Sequence, residues 1–369
     1  MSNNNQNSGK SKKKSSDINY ERLDALLKKE LLQEIGSTAE GKNLLDNNAQ
    51  LSYLEEQYIP DFMINTQGEI AELINDPSIM DGKNREVVEL LPNNEQQQLS
   101  TVISLSFDGL EEDDDEDTFE VIGHITAYDR EVLDAISTLY MSGHREFSAN
   151  MVYKTMTGIK GDTYVKNETC KSVRESIEKL RKTHLYIKES TLINLGEGED
   201  NKIEFGIDED ATLILVTGKS LYIGGNRVSG YEISQPPIIY KHAKKTHQLR
   251  FIPASVLSVK ELSNTPENVA LRGYLNRKIE RARDFNKVIN ECFIDYEDLY
   301  KYLNKEDAHR RLKFRLREKV KVILDSWIKV EYITSYEVIT SGKNKKVATK
   351  IFYPNPPNVF ENVPYIFPE

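Results

Sequence analysis

The sequence predicts an α+β fold in which one order of elements, three helices followed by a β-ribbon, occurs twice along the chain. The first occurrence begins near Val121, and the second follows a connector that starts at Gln235. This order is typical of a winged helix, a relative of the helix-turn-helix that places its third helix against DNA. We therefore expect two tandem winged-helix domains, residues 121–247 and 248–369, after a largely disordered acidic extension of residues 1–120.

Length and composition agree with this division and narrow the class of protein. A chain of 369 residues suits two domains plus an extension. Its two cysteines, Cys170 and Cys292, are far apart and form no Cys-x-x-Cys pair, which favours a reduced cytoplasmic protein over a disulfide scaffold or a zinc finger. No stretch approaches the roughly 20 apolar residues of a membrane span, so we expect no membrane partner.

The net charge of −10 is unevenly distributed. Residues 1–120 hold 26 acidic and 10 basic side chains, a net charge of −16, whereas residues 121–369 hold 33 acidic and 39 basic side chains, a net charge of +6. Such an asymmetry suggests a nucleic-acid partner for the C-terminal part.

Two features stand out in the acidic extension. Residues 17–35 carry apolar side chains at a helical period, which predicts an amphipathic helix that docks on the body, binds a partner or second copy, or stays loosely formed. The acidic run 111–117 cannot bury a core and is expected to be a solvated tether. A sharper alternative is a DNA mimic that competes for a basic groove.

The first predicted domain has well-marked helices. Thr126 is a plausible N-cap for a helix that closes at Gly143, and Ser148 caps a short second helix. The third helix carries Val173 and Ile177 on one face, with Leu180 one turn further on. The strands expected after it begin at His184 and continue as residues 203–207, 211–216 and 221–233.

The second predicted domain repeats the order. Asn264 or Thr265 caps its first helix, with Pro266 in the first turn. Residues 292–304 read as a short helix and 306–329 as a long one. Residues around 341–344 form the turn of a hairpin.

The run Thr217-Gly218-Lys219-Ser220 resembles the end of a nucleotide-binding phosphate loop. That motif requires a glycine five residues before Gly218, where this chain has Leu213, and a helix behind the loop, which the following residues do not favour. We therefore expect a β-turn at 217–219 between two strands, with Lys219 as a possible phosphate contact on a wing.

No arrangement of residues predicts catalysis. His242 and His247 are five residues apart and would point in different directions on a helix, unlike a His-Glu-x-x-His metal site. No Gly-x-Ser-x-Gly elbow occurs. We expect no enzymatic activity, no catalytic residue, no cofactor and no metal.

The strongest functional pattern is the basic segment 309–321. On a helix its apolar residues form one buried stripe, Leu312, Leu316, Val320, Ile323 and Trp327. The opposite half carries cations and one aromatic residue, which we expect to contact DNA: Arg310, Arg311, Phe314, Arg317 and Lys321. Phe314 would touch a thymine methyl group or a sugar; alternatively it packs on the extension or on a second subunit.

Two weaker sets of DNA contacts accompany this helix. Recognition helices read bases mostly with their first turns, so in the first domain we expect contacts from Lys166, Asn167, Thr169, Lys171 and Arg174, although an ordinary solvated helix remains the alternative. The second wing offers phosphate contacts from Lys343, Lys345 and Lys346. Lysines at a hairpin tip also protect sheet edges.

The tandem arrangement, with the more basic unit second, resembles the iteron-type replication initiators of plasmids and related mobile elements. The resemblance covers about residues 121–360 and is carried by ITAYDREVLDAISTLY, VRESIEKLRKTHLYI and RLKFRLREKVKVILDSWIKV. It implies binding to directly repeated origin DNA with one winged helix per major groove, origin melting with host replication proteins, and homodimers that repress their own gene. The long acidic extension departs from the compact form of that family.

Three functions are compatible with the sequence. The first is a sequence-specific double-stranded DNA-binding replication initiator. The second is a transcriptional regulator on the same fold. The third is an interaction protein that binds a partner through its acidic arm, with the two domains as a scaffold.

Overall fold

A computed structural model gives the structure of the folded body. It describes residues 59–75, 85–90, 97–107, 124–160, 163, 165–194, 202–223, 226–283, 287–341 and 345–355. Helices and strands both occur throughout these ranges, which confirms the predicted α+β class.

The elements are numbered in chain order. The strands are β1 (Phe62–Thr66), β2 (Arg85–Leu90), β3 (Gln97–Phe107), β4 (Glu146–Phe147), β5 (Thr183–Asn194), β6 (Lys202–Thr212), β7 (Val216–Ile223), β8 (Asn226–Ile233), β9 (Leu249–Pro253), β10 (Ile289–Asp295), β11 (Ser335–Ser341) and β12 (Lys345–Pro354). The helices are α1 (Glu69–Leu73), α2 (Ala127–Met141), α3 (Ala149–Thr157), α4 (Asn167–Lys182), α5 (Ile238–Lys245), α6 (Ala254–Leu257), α7 (Pro266–Arg281), α8 (Tyr296–Tyr302) and α9 (Arg310–Lys329).

The same element order and the same strand pairing occur in both halves. The first half runs α2, β4, α3, α4, β7 and β8, and its sheet has the order β4-β8-β7. The second half runs α7, β10, α8, α9, β11 and β12, and its sheet has the order β10-β12-β11. In each half the last strand of the unit therefore lies between the other two, and the hairpin β5–β6 is an insertion between α4 and β7.

Local capping explains where the helices begin and end. The Thr126 hydroxyl accepts from the Asp129 amide while the Asp129 carboxylate accepts from the Thr126 amide, a reciprocal cap for α2. Ser148 caps α3 and Thr265 caps α7. Gly143 follows the end of α2 with a φ of 89°, a left-handed conformation that glycine adopts without strain. These predicted boundaries are confirmed.

Part of the segment assigned to the extension belongs to the folded body. β1 pairs antiparallel with β9, and the Ile64 amide donates to the Thr138 hydroxyl of α2 at 2.8 Å. Met63 and Ile70 are buried, and β3 pairs with β5 along its whole length. The prediction that residues 1–120 are largely disordered is therefore wrong for residues 59–75, 85–90 and 97–107. These segments pair with strands far away in the sequence, and the acidic composition of the surrounding region concealed them. The predicted helix 17–35 and the acidic run 111–117 lie outside the described residues.

Three predicted local structures are wrong. Residues 217–219 lie within the continuous strand β7 rather than in a turn. The strand expected at 211–216 is divided between the end of β6 and the start of β7. The short helix expected from Cys292 begins only at Tyr296, because the preceding residues alternate between exposed and buried and form β10.

A buried cluster of charges joins the two halves. Arg277 of α7 contacts Glu131 of α2 and lies 3.3 Å from the Asp134 carboxylate, while Arg130 lies 3.9 Å from that same carboxylate. A Cβ at Gly273 would collide with the Glu131 carboxylate, so this glycine allows α7 to approach α2 closely. We expect these buried ion pairs to fix the mutual register of the two helices.

The long helix α9 forms the core of the second half. Its stripe of Leu316, Val320, Ile323 and Trp327 is buried, as predicted, whereas Leu312 is half-buried. The Trp327 indole N–H donates to the Val256 carbonyl at 2.9 Å, which ties α9 to α6 in the connector. The opposite side of α9 is left facing outward. No helix in the described part of the chain is long and apolar enough to cross a membrane.

Candidate nucleic-acid interface

Three arginines at the start of α9 are exposed and have no described partner. Arg310, Arg311 and Arg315 lie on the solvent side of the helix. None of them has an ion pair or a side-chain hydrogen bond with any residue that the structure describes. Their guanidinium groups are therefore available to an external anion.

Phe314 lies among these arginines and is 50% exposed. The outward position predicted from the helical period is confirmed. The exposed ring offers an apolar contact beside three cations. The ring can therefore contact the apolar part of a base while the cations contact the phosphates of the same DNA segment.

Arg317 is half-buried rather than outward, which corrects the sequence prediction. Its guanidinium donates to the Tyr300 hydroxyl at 2.9 Å and lies 5.8 Å from the ring centroid of Tyr296. Burial raises the pKa of the Tyr300 hydroxyl, which keeps it protonated as a neutral acceptor. Arg317 thus attaches α9 to α8, because a long side chain can bend back over its own helix.

The lysines of the second half mostly have carboxylate partners. Lys313 lies 3.7 Å from Glu297, and Lys319 lies 2.5 Å from Glu267. The predicted contacts Lys321 and Lys346 both approach Glu318, at 3.6 and 3.7 Å. These internal pairs compete with phosphate, whereas the three arginines have no such pair among the described residues.

The tip of the hairpin β11–β12 lies outside the described residues. Lys343 lies outside the described residues, and Lys345 lies in β12 without a described side chain. Their predicted phosphate contacts stay predictions.

The predicted residues of α4 gather around its first turns. Lys166 is its N-cap and is exposed, as are Asn167 and Lys171, whereas Thr169 and Arg174 are half-buried. Two cations in the last turn of α4 are paired with carboxylates within the protein. Lys179 lies 2.8 Å from Asp129, and Arg181 lies 3.2 Å from Glu178.

The two third helices share a feature that the sequence did not reveal. The starts of α2, α3, α7 and α8 are each capped by a side chain, whereas α4 and α9, like the shorter helices α1, α5 and α6, have no side-chain cap hydrogen bond. Basic residues occupy the first turn of α9 and no acidic one does. Since the N-terminal end of a helix carries partial positive charge, this arrangement favours an anionic ligand over an intrinsically stable helix end.

Lys219 has carboxylate partners within its own sheet. It lies in β7 with its ammonium group 2.7 Å from Glu146 and 3.0 Å from Glu232. The suggested phosphate contact stays a prediction, and it would have to compete with these two carboxylates of the same sheet.

The described residues form no cluster of metal-ligating side chains. Within the ranges that the structure describes, no group of three or more His, Cys, Asp and Glu side chains is placed to hold a metal ion. Cys170 and Cys292 are free and buried, and burial raises the pKa of the Cys292 thiol to about 11. A thiol in that state is a poor nucleophile.

Comparison with known proteins gives matches among solved structures only. No protein-family model matches the chain, and no curated protein matches it. Similar structures include two of domains 2 and 3 of RctB, at 12% and 11% identity with TM-scores of 0.39 and 0.40. They cover 78% and 77% of this chain and 96% of each RctB chain.

A third similar structure is the Pi initiator protein in complex with iteron DNA. It is 12% identical, covers 62% of this chain and 92% of its own, and has a TM-score of 0.31. The TM-scores show that the likeness is distant.

Proposed function

We propose that the chain is a sequence-specific double-stranded DNA-binding protein that initiates replication at repeated origin sites of a plasmid or mobile element. The observation that carries this proposal is the group of exposed arginines around Phe314 at the start of α9, none of which is paired with a residue that the structure describes. Three exposed arginines without a described partner and a half-exposed ring lie within about one and a half turns. This grouping favours a ligand-binding surface over an ordinary solvated helix.

The position of this group within its unit supports the proposal. Each half has the element order helix, strand, helix, helix and hairpin, with the last strand in the middle of the sheet. We infer that each half is a winged helix, with α4 and α9 as recognition helices. The hairpin β11–β12 would then be the wing that follows the phosphate backbone.

The contacts divide into two kinds. Arg310, Arg311 and Arg315 would bind phosphate oxygens or guanine edges, and Phe314 would meet a thymine methyl group or a sugar. In the first half, Lys166, Asn167 and the neighbouring residues of the first turn of α4 would approach a second major groove. The uncapped amides of both helices would add hydrogen bonds to phosphate.

The structure of the Pi initiator with iteron DNA is consistent with this proposal, since its name describes the same kind of protein and ligand. Host replication proteins and a second copy of the chain remain expected partners, and the cytoplasm remains the expected location. We propose no enzymatic activity, because the functional residues are those of a binding surface.

A gel-shift titration on the repeats beside the chain's own gene tests the proposal. We expect preference for those repeats over random duplex at moderate salt, with a footprint of about two helical turns, roughly 20 base pairs. Equal affinity for both duplexes would defeat it. A plasmid-maintenance assay then separates an initiator from a transcriptional regulator, which would bind the repeats without supporting replication.

A further inference from the structure

One acidic side chain lies on the outward face of α9, among the residues proposed to contact DNA. Glu318 follows Phe314 by four residues and Arg311 by seven. It therefore lies about 40° around the helix from Phe314 and about 20° from Arg311. The side chain of Glu318 is 42% exposed, close to the 50% of Phe314. The three side chains form one row along the side of α9 that faces away from the core.

A carboxylate in this row is neutralised on one side only. The ammonium group of Lys321, on the same helix, lies 3.6 Å from Oε1 of Glu318, and that of Lys346 in β12 lies 3.7 Å from the same oxygen. The other oxygen, Oε2, has no hydrogen bond or ion pair with any residue that the structure describes. Glu318 thus keeps one acceptor oxygen that the described part of the protein does not use.

The two lysine contacts are a weak reason for an acid at this position. Both distances exceed the roughly 2.7–2.9 Å of a close charge-assisted hydrogen bond. The side chains of Lys321 and Lys346 are partly exposed, and ion pairs in contact with water add little to stability. A carboxylate beside phosphates also lowers affinity for DNA, so its place in this row calls for a positive contact.

The major groove offers a carboxylate one well-matched partner. Cytosine presents its N4 amino group there as a donor, and glutamate accepts a hydrogen bond from it. Guanine presents two acceptors and thymine presents an acceptor and a methyl group, none of which can donate to a carboxylate. Adenine has a donor, but an acceptor lies beside it. The unused oxygen of Glu318 therefore suits cytosine best.

We propose that Glu318 determines sequence specificity by accepting a hydrogen bond from the N4 amino group of a cytosine. This inference rests on the proposed function, because it requires α9 to lie in a major groove. At 1.5 Å per residue, Arg311 and Glu318 are about 10.5 Å apart along the helix, which is roughly three base pairs. One segment of the groove can therefore hold both contacts.

The same carboxylate disfavours unrelated sequences. Where another base replaces the cytosine, the charge of Glu318 faces base acceptors and phosphate oxygens, which repel it. Discrimination by a repulsive group of this kind adds to the attraction for the correct site. Glu318 therefore lowers affinity for random duplex as well as raising affinity for the specific one.

Binding-site selection from a pool of random duplexes tests this inference with the full-length protein. Wild type, Glu318→Gln and Glu267→Gln are each taken through the selection at the same moderate salt concentration, and the bound duplexes are sequenced. Glu267→Gln is the matched control. It makes the same chemical change and also removes the partner of a lysine of α9, Lys319, but Glu267 lies on α7. Fluorescence anisotropy then measures the affinity of each protein for the selected site and for random duplex.

We expect the wild type and Glu267→Gln to select the same cytosine at one position. Glu318→Gln should lose that cytosine in favour of adenine, with which glutamine pairs. It should bind the wild-type site about tenfold more weakly and random duplex at least twofold more tightly. An unchanged cytosine in the Glu318→Gln sites would overturn the inference and leave the proposed function intact. A wild type that selects no sequence would overturn both.

A Lys346→Met variant separates base reading from a role in holding the wing. The substitution removes the contact between β12 and Glu318 but leaves the carboxylate in place. It should weaken binding to specific and random duplexes by a similar factor and leave the selected cytosine unchanged. Loss of the cytosine in Lys346→Met would overturn the inference, because Glu318 would then act only through its ion pair with the wing.

Discussion

Some charged side chains of α9 form ion pairs within the protein, and others do not. Arg310, Arg311 and Arg315 have no internal partner among the described residues, whereas Lys319 is held by Glu267. Charge count alone would rank these side chains equally. We expect the unpaired arginines to contribute most to DNA binding. A cation that already contacts a carboxylate must first lose that contact before it can neutralise a phosphate and release the DNA's counterions.

Replacing Arg311 by alanine should weaken DNA binding and flatten its salt dependence. Loss of one phosphate contact reduces the slope of log K against log salt by about 0.9. The matched control is Lys329→Ala on the same helix, since Lys329 is exposed and already lies 2.6 Å from Glu261. Fluorescence-anisotropy titrations over a range of salt concentrations measure both slopes. Equal slopes for wild type and Arg311→Ala would count against the proposed face.

Replacing Phe314 by alanine should lower affinity for the specific site about tenfold, or about 1.4 kcal/mol. Binding to random duplex should change little, because the ring would read bases rather than phosphate. The free energy of unfolding should stay within about 0.5 kcal/mol, since the side chain is half exposed.

The opposite pattern would support the alternative role of Phe314. A shift in oligomeric state with unchanged DNA affinity would mean that the ring packs on a second subunit. Gel shift and analytical ultracentrifugation on the same preparation separate the two roles.

Sequence reasoning located α9 and its exposed aromatic residue but misjudged individual side chains. The helical period fixes the direction in which each Cα–Cβ bond points, so the exposure of Phe314 was predictable. It does not fix the far end of a long side chain, and Arg317 turns back to Tyr300. The partners of the lysines, such as Glu267 and Glu297, come from other elements and could not be read from the period of α9.

At the scale of elements, helices were easier to predict than strand pairs. The side chains of caps such as Thr126 and Ser148 accept a hydrogen bond from an amide only three residues later. Both partners of that hydrogen bond are therefore visible in a short stretch of sequence. The pairing of β1 with β9 joins residues nearly 190 positions apart, for example Met63 with Ile252. No local pattern reveals such a partner, which is why residues 59–75 were assigned to the extension.

The contact between α2 and α7 depends on a buried charge, and removing it should be costly. An Arg277→Met substitution leaves the buried Glu131 without its main partner and removes one of the two arginines beside Asp134, so the free energy of unfolding should fall by about 3–5 kcal/mol. The matched control is Arg281→Met, one turn along the same helix, where an exposed pair with Glu72 should contribute no more than about 1 kcal/mol.

Urea denaturation of the two variants measures this difference. Similar losses of stability in both would show that the buried cluster does not hold the two halves together. If the DNA affinity of the folded Arg277→Met protein also falls, the register between the halves matters for binding as well.

At the scale of the whole molecule, several buried acids should limit stability at alkaline pH. Burial raises the pKa of Cys292 to about 11 and that of Tyr231 to about 12. In the unfolded chain these groups ionise near their usual values, about 9 and 10. Stability is therefore unaffected below pH 9, and it falls as pH rises from 9 towards 12 because only the unfolded state releases the protons.

The urea midpoint measured at pH 8 and at pH 10.5 checks this effect, and we expect a lower midpoint at the higher pH. A Cys292→Ala variant should lose less stability between the two values than the parent, because one of the titrating groups is gone. The same urea midpoint at both pH values would contradict the expectation that buried Cys292 and Tyr231 lower the stability at alkaline pH.

The attachment of Trp327 has a practical consequence, because the chain has only this one tryptophan. Its indole lies in the interior of the second half and is bonded to Val256. Tryptophan emission, excited selectively over the 19 tyrosines, therefore reports on that region without any label. Emission that changes when a duplex is added would reveal a rearrangement beneath the binding surface, and emission that stays constant would indicate that α9 docks as a rigid rod.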